Sequence, residues 1–196
     1  MFVSGLLLAA GASSRFGSPK MLAEVSGEPL LLRSARVFLD AGFDETVVVL
    51  GAHADTLASV IRHLPVRIVL NGDWHAGMFS SVRAGLRELD PSAERVAVSP
   101  ADLPGLSAAD VKRVLAASLM TSEEVLTVPV CGVRRGHPLV FSTRWAPRIL
   151  SWGQEARLSD LFRQPDLTIH PVDGFGEGVL HDVDRPSDLA ALPETA

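Results

Sequence analysis

The sequence predicts an α/β protein with three layers, in which a mostly parallel sheet lies between two layers of helices. Short apolar runs alternate along the chain with stretches of helical period. Strands and helices that alternate in this way build parallel sheets that are covered on both faces. The length of 196 residues is that of one domain. We therefore expect a single domain, residues 1–196, around one sheet.

The elements follow in regular order over the first part of the chain. The expected strands are Gly5–Ala9, Thr46–Leu50, Val66–Leu70 and Arg95–Val98. The segments whose apolar residues recur every three or four positions, and which we expect to be helices, are Leu30–Leu39, Asp55–His63, Ser80–Leu89 and Ala108–Leu119. Ser107 is a candidate N-cap for the last helix, since its hydroxyl can accept a bond from the first turn.

The pattern becomes less regular after a fifth expected strand at Val125–Val130. The segments that follow are a loop or hairpin at Gly132–Pro138, a short strand at Leu139–Phe141, broken helices over Trp145–Phe162, and strands near Leu167–Pro171 and Val179–Val183. We interpret this second half as an elaboration of the same domain.

Composition excludes several classes of protein. Hydrophobic residues make up 47% of the chain, and there is no uninterrupted apolar stretch of membrane-spanning length. A net charge of −5 argues against binding to nucleic acid, which requires a basic face. The single cysteine, Cys131, cannot form an internal disulfide, and no Cys/His pair has the spacing of zinc ligands. We therefore expect a cytoplasmic protein without a membrane segment or structural zinc.

The first expected strand runs directly into a loop of glycines, hydroxyls and cations, from Gly11 to Lys20. Gly11 lets backbone N–H groups approach an anion, and Arg15 and Lys20 can neutralise phosphate oxygens. The pattern equally suits a glycine-rich connection with two solvated cations. Neither the GxxxxGK[ST] loop nor the GxGxxG fingerprint with an acid after the second strand is present. An ATPase or a nicotinamide enzyme is therefore disfavoured.

A second polar loop, Asn71 to Ser81, follows the third expected strand. Asn71 offers an amide donor and acceptor to a base edge, and Gly77, Ser80 and Ser81 can bring main-chain and hydroxyl groups close to a ligand. The alternative is a turn at Asn71 with Ser80 as a helix N-cap.

An acid and a basic loop complete the candidate residues. Asp102 comes just after the fourth expected strand, where it suits either a Mg²⁺ ligand or a turn before Leu103-Pro104. Arg134 to Pro138 combines two cations with Gly136 and His137, which suits either an acceptor phosphate or a solvated hairpin.

These motifs together resemble the MobA-like NTP transferases, and especially the molybdenum cofactor cytidylyltransferases. LAAGASSRFGSPK is similar to their LAAGxSxRxGxxK loop, and NGDWHAGMFSS to their NxxWxxGMxxS segment. Asp102-Leu-Pro104 is similar to their DxP, and the segment from Asp182 to Leu189 to their closing DxDTPxDL. Gly153–Arg157 is similar to their GDxGAR stretch but is one residue shorter and lacks the Asp.

The resemblance implies a nucleotide-diphosphosugar transferase (Rossmann-like) fold, with a nucleotide-binding half at about 1–105 and an acceptor-binding half at about 106–196. It implies that Arg15 and Lys20 hold the triphosphate, with backbone contacts from Ala10, Gly11 and Ala12. It also implies that Mg²⁺ lies on Asp102 and on Asp184 or Asp182, with Asp184 favoured. Asp188 is better explained as a cap for a final helix that begins at Pro186.

The function that the resemblance implies is transfer of CMP from CTP to molybdopterin, with Gly136 and His137 at the acceptor site. UTP is the second expectation for the nucleotide, and transient contact with a molybdoenzyme or its chaperone is expected. The alternatives are a nucleotidyltransferase for sugar phosphates or other small phosphates, a non-catalytic carrier of nucleotide or molybdopterin, and an oxidoreductase on the same scaffold. His75 and Cys131 receive no role.

Overall fold

Ten strands and six α-helices make up the part of the chain that the computed structural model describes, residues 1–190. The strands are β1 (Phe2–Ala9), β2 (Glu24–Val25), β3 (Glu28–Pro29), β4 (Glu45–Leu50), β5 (Arg67–Leu70), β6 (Ala93–Pro100), β7 (Val125–Cys131), β8 (Arg134–Arg135), β9 (Leu139–Ser142) and β10 (Thr168–Val172). The helices are α1 (Leu30–Ala41), α2 (Ala54–Ile61), α3 (Met78–Arg87), α4 (Ala108–Leu119), α5 (Ala146–Leu150) and α6 (Pro186–Ala190).

Eight of these strands form one sheet in the order β10-β7-β9-β6-β1-β4-β5, with β8 paired to β7. β1 lies between β4 and β6 and is parallel to both, whereas β9 runs antiparallel to β6 and β7. The sheet is therefore mostly parallel, as expected, and strands from both halves of the chain join it. Because the parallel strands end at one edge, the loops after β1 and β6 meet there.

Alternate residues of β1 enter two separate cores. Leu7 and Ala9 pack with α1, α2 and α4 on one face, and Leu6 and Leu8 pack with α3 on the other. The side chains of both cores are almost fully buried, for example Phe38 on the first face. This arrangement confirms the three predicted layers.

Most of the predicted elements are present with small shifts of their ends. The hairpin expected at Gly132–Pro138 is formed by the pairing of β7 with β8. Ser107 caps α4 as expected, with its Oγ accepting from Asp110 N at 3.1 Å while the Asp110 carboxylate accepts from Ser107 N at 3.3 Å. Within residues 1–190, no helix has both the length and the apolar character needed to span a bilayer.

One predicted strand is wrong. Within the segment Val179–Val183, Val179 ends a 3₁₀ turn, Glu177–Val179, and the remaining residues have irregular backbone. Its backbone groups bond to loops instead of a sheet edge: Val179 O accepts from His137 N at 2.9 Å, and Val183 N donates to Asp102 O at 2.9 Å. The apolar residues of this segment are buried against the core beside those loops, which produces a strand-like pattern without a strand.

Candidate active site

The loop after β1 and the residue after β6 meet at the carboxyl edge of the sheet. Ala101 N donates to Leu8 O at 2.9 Å, which continues the pairing of β6 with β1 to the point where both strands end. Asp102 follows at once and accepts a bond from Lys20, with Nζ to Oδ2 at 2.6 Å. Two sequence motifs that are 82 residues apart therefore share one polar site.

Ser13 and Gly17 set the path of the first loop. Both have positive φ angles, 56° and 81°, and the Ser13 carbonyl accepts from Phe16 N at 2.9 Å. Ser13 Oγ accepts from Lys20 N at 3.1 Å, which turns the chain back so that the lysine faces the strand ends. Sequence reasoning missed this role of Ser13, because the polar residues of the loop were assessed only as ligands.

Two cations and two carboxylates form one ionic cluster in the site. Arg15 Nη1 lies 2.5 Å from Asp184 Oδ2, and Lys20 Nζ lies 3.7 Å from Asp184 Oδ1. The side chains of Lys20 and Asp102 are 13% and 15% exposed, whereas that of Arg15 is 72% exposed. The Lys20–Asp102 pair is therefore shielded from water, whereas water screens the contact between Arg15 and Asp184.

Two close backbone contacts, Gly178 with Gly105 and Gly136 with Val179, fix the segment that precedes Asp184. A Cβ on Gly178 would lie 2.1 Å from the carbonyl oxygen of Gly105, and one on Gly136 would lie 2.4 Å from that of Val179. Only glycine fits such backbone contacts. Gly105 and Gly178 were not among the predicted site residues, and their signal in the sequence was no stronger than that of any other glycine.

The structure distinguishes the three aspartates of the closing motif. Asp184 contacts both cations, whereas Asp182 is exposed and lines the same cleft. Asp188 accepts from Arg185 N at 2.7 Å and from Asp184 N at 2.8 Å. Its pKa is lowered, first by the hydrogen bond from Arg185 and then by that from Asp184. Asp188 thus caps the start of α6, as expected, and also fixes the backbone at Asp184.

A cleft of about 540 Å³ surrounds this cluster. Most of the predicted nucleotide and metal residues line it: Ala10, Gly11, Ala12, Arg15, Lys20, Gly77, Ser81, Asp102, Asp182 and Asp184. Trp74 and His75, whose rings stack at 4.1 Å between centroids, form part of the same wall.

Asn71 and Ser80 lie outside the cleft, in the wall of a neighbouring cavity. Asn71 Nδ2 donates to Ser80 Oγ at 2.8 Å and to Ser81 Oγ at 3.0 Å, and its Oδ1 accepts from Asp73 N at 3.0 Å. The side chain is buried, and all of its amide groups are used within the loop. In this arrangement both side chains shape the loop, and their role in nucleotide binding stays a prediction.

A second cavity, of about 530 Å³, opens beside the cleft and shares Leu8, Gly77, Met78 and Pro100 with it. Its walls are mainly apolar and come from α3, β6, β9 and the segment Gln154–Phe162. Its polar lining includes Arg135, Arg157 and both predicted acceptor residues, Gly136 and His137. The Arg135 guanidinium stacks on the Phe162 ring, 4.6 Å from its centroid.

His137 is the titratable group that burial affects most clearly here. Burial lowers its pKa, and a hydrogen bond with the Val98 backbone and the charges of Asp102 and Asp182 only partly oppose this effect. The imidazole is therefore neutral near pH 7. Its Nδ1 is buried without a hydrogen-bond partner.

The donor set in the cleft fits a hard divalent cation. No cluster of three or more His, Cys, Asp or Glu side chains with metal-binding geometry occurs within residues 1–190. Mg²⁺ commonly binds one or two carboxylates together with phosphate oxygens and water. Asp102 and Asp184 supply two carboxylates, and Asp102 Oδ1 is buried without a hydrogen-bond partner in the described part of the chain. An unbonded buried carboxylate oxygen is costly, and a metal ligand would satisfy it.

Comparison with known proteins agrees with this geometry. Residues 5–169 match the MobA-like NTP transferase domain. Nicotine blue oxidoreductase of Paenarthrobacter nicotinovorans is 35% identical over 97% of this chain and 96% of its own length. 2-C-methyl-D-erythritol 4-phosphate cytidylyltransferase of Symbiobacterium thermophilum is 32% identical over 65% of this chain and 55% of its own length. A probable molybdenum cofactor guanylyltransferase of Bacillus cytotoxicus is 29% identical over 57% and 55%, respectively.

Solved structures show the same fold. Rv0371c from Mycobacterium tuberculosis, in a complex with manganese, superimposes with a TM-score of 0.80 at 24% identity, over 98% of this chain and 100% of that one. The domain match covers most of the chain, and the fold and the strand-end motifs agree with it. The chain belongs to the MobA-like NTP transferase family and is an enzyme of the nucleotidyltransferase class.

Proposed function

We propose that this enzyme transfers CMP from CTP to the phosphate of molybdopterin and releases pyrophosphate. The observation that carries this proposal is the shielded pair of Lys20 and Asp102, at 2.6 Å, beside a glycine-containing loop at the end of β1. Such a site combines a cation for the departing phosphates with a carboxylate for a metal. The unbonded Oδ1 of Asp102 supports the second role.

The transfer needs one displacement at phosphorus. A phosphate oxygen of the acceptor attacks the α-phosphorus of CTP, the bond from that phosphorus to the bridging β-phosphate oxygen breaks, and pyrophosphate leaves. Lys20 and Arg15 stabilise the negative charge that develops on the leaving group. The acceptor phosphate is already an anion near pH 7, so no side chain has to remove a proton from it.

Asp102 and Asp184 would hold Mg²⁺, which when bound supplies positive charge to the phosphates of the nucleotide. Both carboxylates are bonded to Lys20 or Arg15 in the structure. Nucleotide phosphates give these cations new anionic partners, and the carboxylates then become available to the metal. Asp182, which also lines the cleft, is the weaker candidate because it forms no ion pair within residues 1–190.

The choice of CTP and molybdopterin rests on the family motifs. Ala9-Ala10-Gly11 resembles the loop of the CTP-using members, and one relative is named a cytidylyltransferase. A second relative is named a probable molybdenum cofactor guanylyltransferase, which supports the acceptor. The mainly apolar second cavity suits a ring system better than a bare sugar phosphate, whose hydroxyls require many polar partners.

Oxidoreduction is a second candidate, favoured by one observation. The relative named nicotine blue oxidoreductase is similar along nearly the whole chain. Against this candidate, Lys20, Asp102 and Asp184 form a site suited to phosphates, and the sequence has no GxGxxG fingerprint.

One assay separates the two candidates. The enzyme is incubated with Mg²⁺ and each of the four common nucleoside triphosphates, with and without molybdenum-loaded molybdopterin, and pyrophosphate is measured together with the mass of the pterin product. We expect release with CTP only when the pterin is present, together with a CMP-linked product. A parallel reaction with NADH or NADPH and a quinonoid dye tests oxidoreduction. Consumption of the nicotinamide without any pyrophosphate release would reject the transferase proposal.

A further inference from the structure

A third cavity lies along α3, beside the two already described. We call these two the nucleotide cleft, which contains Lys20 and Asp102, and the acceptor cavity, which contains Gly136 and His137. The volume of the third cavity is about 510 Å³, and it shares His75 with the nucleotide cleft and Ala76, Phe79 and Gln154 with the acceptor cavity. Its lining is mainly polar, in contrast to that of the acceptor cavity. Nothing in the proposed transfer of CMP uses it.

Arg83 and Arg87 both line this cavity from α3. Four residues apart on a helix, they lie on the same face and repel each other. Over residues 1–190, neither side chain forms an ion pair or a hydrogen bond. The other arginines of the chain include several with a carboxylate partner: Arg15, Arg36, Arg67, Arg144, Arg148 and Arg163. Two unpaired cations in one cavity are therefore a local concentration of positive charge.

The state of Arg83 adds an independent observation. Its Nε is buried and has no hydrogen-bond partner. Buried N–H groups in proteins are almost always bonded, because losing water without a replacement is unfavourable. The Arg83 guanidinium, which lies near that of Arg87, therefore lacks hydrogen-bond acceptors.

The remaining lining limits where an acceptor group can lie. Asp73 places a carboxylate in the same cavity, so with the two arginines the local net charge is positive by one. Ser80 Oγ is already bonded to Asn71 Nδ2 and to Gly77 O. An anion would therefore be held by the arginines themselves, away from Asp73.

We propose that Arg83 and Arg87 form a second anion site, which takes a phosphate group outside the nucleotide cleft. The planar guanidinium matches two oxygens of a phosphate at once, and two such groups on one helix face can share one phosphate. The phosphate comes either from a free anion or from the substrate, since the cavity adjoins the nucleotide cleft at His75.

Calorimetric titration of the full-length protein with orthophosphate tests this site. The titration is made in a chain carrying Arg15→Met and Lys20→Met, so that the nucleotide cleft does not compete for phosphate. Arg87→Gln in this background should weaken phosphate binding about tenfold, the loss expected for one charge-assisted contact. Arg62→Gln is the matched control, because Arg62 is also exposed and unpaired but lies at the end of α2, outside all three cavities.

A second titration, of CTP into the wild type and the Arg87→Gln protein, identifies the source of the phosphate. Unchanged CTP affinity together with weakened orthophosphate binding indicates a separate free anion. Weakening of both indicates that the triphosphate reaches the site. Two results would overturn the proposal. One is the absence of saturable orthophosphate binding in the Arg15→Met/Lys20→Met background, and the other is equal binding before and after Arg83→Gln and Arg87→Gln are both added to that background.

Discussion

The nucleotide cleft and the acceptor cavity are almost equal in volume, about 540 and 530 Å³, but differ in construction. The cleft is formed where parallel strands end, and its charged side chains bond to one another across the sheet edge. The acceptor cavity is mainly apolar, and much of its wall comes from Gln154–Phe162, a loop that leads into the 3₁₀ helix Leu158–Arg163. Strand ends fix charged groups in space, whereas the second wall depends on side-chain packing.

Under the proposed function, this difference separates the chemistry from the recognition of the second substrate. A change in the cleft should reduce turnover with any acceptor, because the same groups meet every nucleotide. A change in the acceptor cavity should alter the KM for the acceptor and leave the response to the nucleotide intact. Substitutions in the two cavities should therefore have separable kinetic effects.

Asp102→Asn should have the largest effect, a fall in kcat of about 10³-fold, because it removes one of two expected metal carboxylates. Pyrophosphate release under saturating CTP and Mg²⁺ measures it. Asp40→Asn, on the exposed side of α1, is the control and should retain full activity. Equal activity of both variants would show that the cleft chemistry does not depend on Asp102.

Lys20→Met should lower kcat by about 10²-fold, and Arg15→Met by about tenfold. The Lys20 side chain is 13% exposed and that of Arg15 is 72% exposed, so water screens the arginine more strongly. Steady-state kinetics at two ionic strengths checks this, since only the Arg15 contribution should shrink markedly in salt. A larger fall in kcat for Arg15→Met than for Lys20→Met would show that Arg15, and not Lys20, makes the greater contribution.

Gly178→Ala should destabilise the fold by about 1–3 kcal/mol and also reduce activity, because its Cβ would lie 2.1 Å from the Gly105 carbonyl oxygen. Displacement of this segment carries Asp184 away from Lys20. Gly176→Ala is a matched control two residues earlier, where an added Cβ meets nothing within 4 Å and φ is −77°. Urea unfolding should show a lower free energy of unfolding for Gly178→Ala than for Gly176→Ala. Equal values would contradict the role of the Gly178–Gly105 contact.

Phe162→Ala should raise the acceptor KM by about tenfold and leave the CTP KM unchanged. The ring lines the acceptor cavity and carries the stacked Arg135 guanidinium. Phe175→Ala removes a comparable stack with Arg113, at 4.1 Å, outside both cavities. If Phe175→Ala changes the acceptor KM as much, the effect does not arise in the cavity.

His137 should produce the smallest effect, a dependence of stability on pH. Its pKa is lower in the folded protein than the ordinary value of about 6.5, so below that pH the unfolded chain binds the extra proton first. The stabilising contribution is present above pH 6.5 and is lost as the pH falls from there through the folded pKa. Chemical unfolding from pH 7.5 to 5 should show that the free energy of unfolding depends less on pH in His137→Asn than in the wild type. His75→Asn, at an exposed histidine, is the control and should behave like the wild type.

Much of the fold was predictable because apolar runs and helical periods report burial directly. β1, β4 and β6 are largely apolar strands in the interior of the sheet, and α4 lies where its period and its Ser107 cap indicated. The β2–β3 hairpin was overlooked. Ser26-Gly27, with φ angles of 53° and 79°, is a short turn signal that could have revealed it.

The site was less predictable, because side-chain partners depend on distant backbone. The contact between Lys20 and Asp102 was predictable, because the loops after the neighbouring strands β1 and β6 end at the same edge of the sheet. Asn71 shows the limit of such reasoning: its amide suits a base, yet Ser80, Ser81 and Asp73 N occupy all of it. No residue pattern along the chain states that Gly178 would pack on Gly105.

Whether the cleft carries out nucleotidyl transfer is decided by pyrophosphate release from CTP and Mg²⁺ with molybdopterin, compared between the wild type and Asp102→Asn. We expect release that requires the pterin, is stoichiometric with CMP transfer, and falls about 10³-fold in the variant. Pyrophosphate release that is undiminished in Asp102→Asn, or its absence with every nucleoside triphosphate and acceptor phosphate, would contradict the account of the cleft as a nucleotidyl-transfer site.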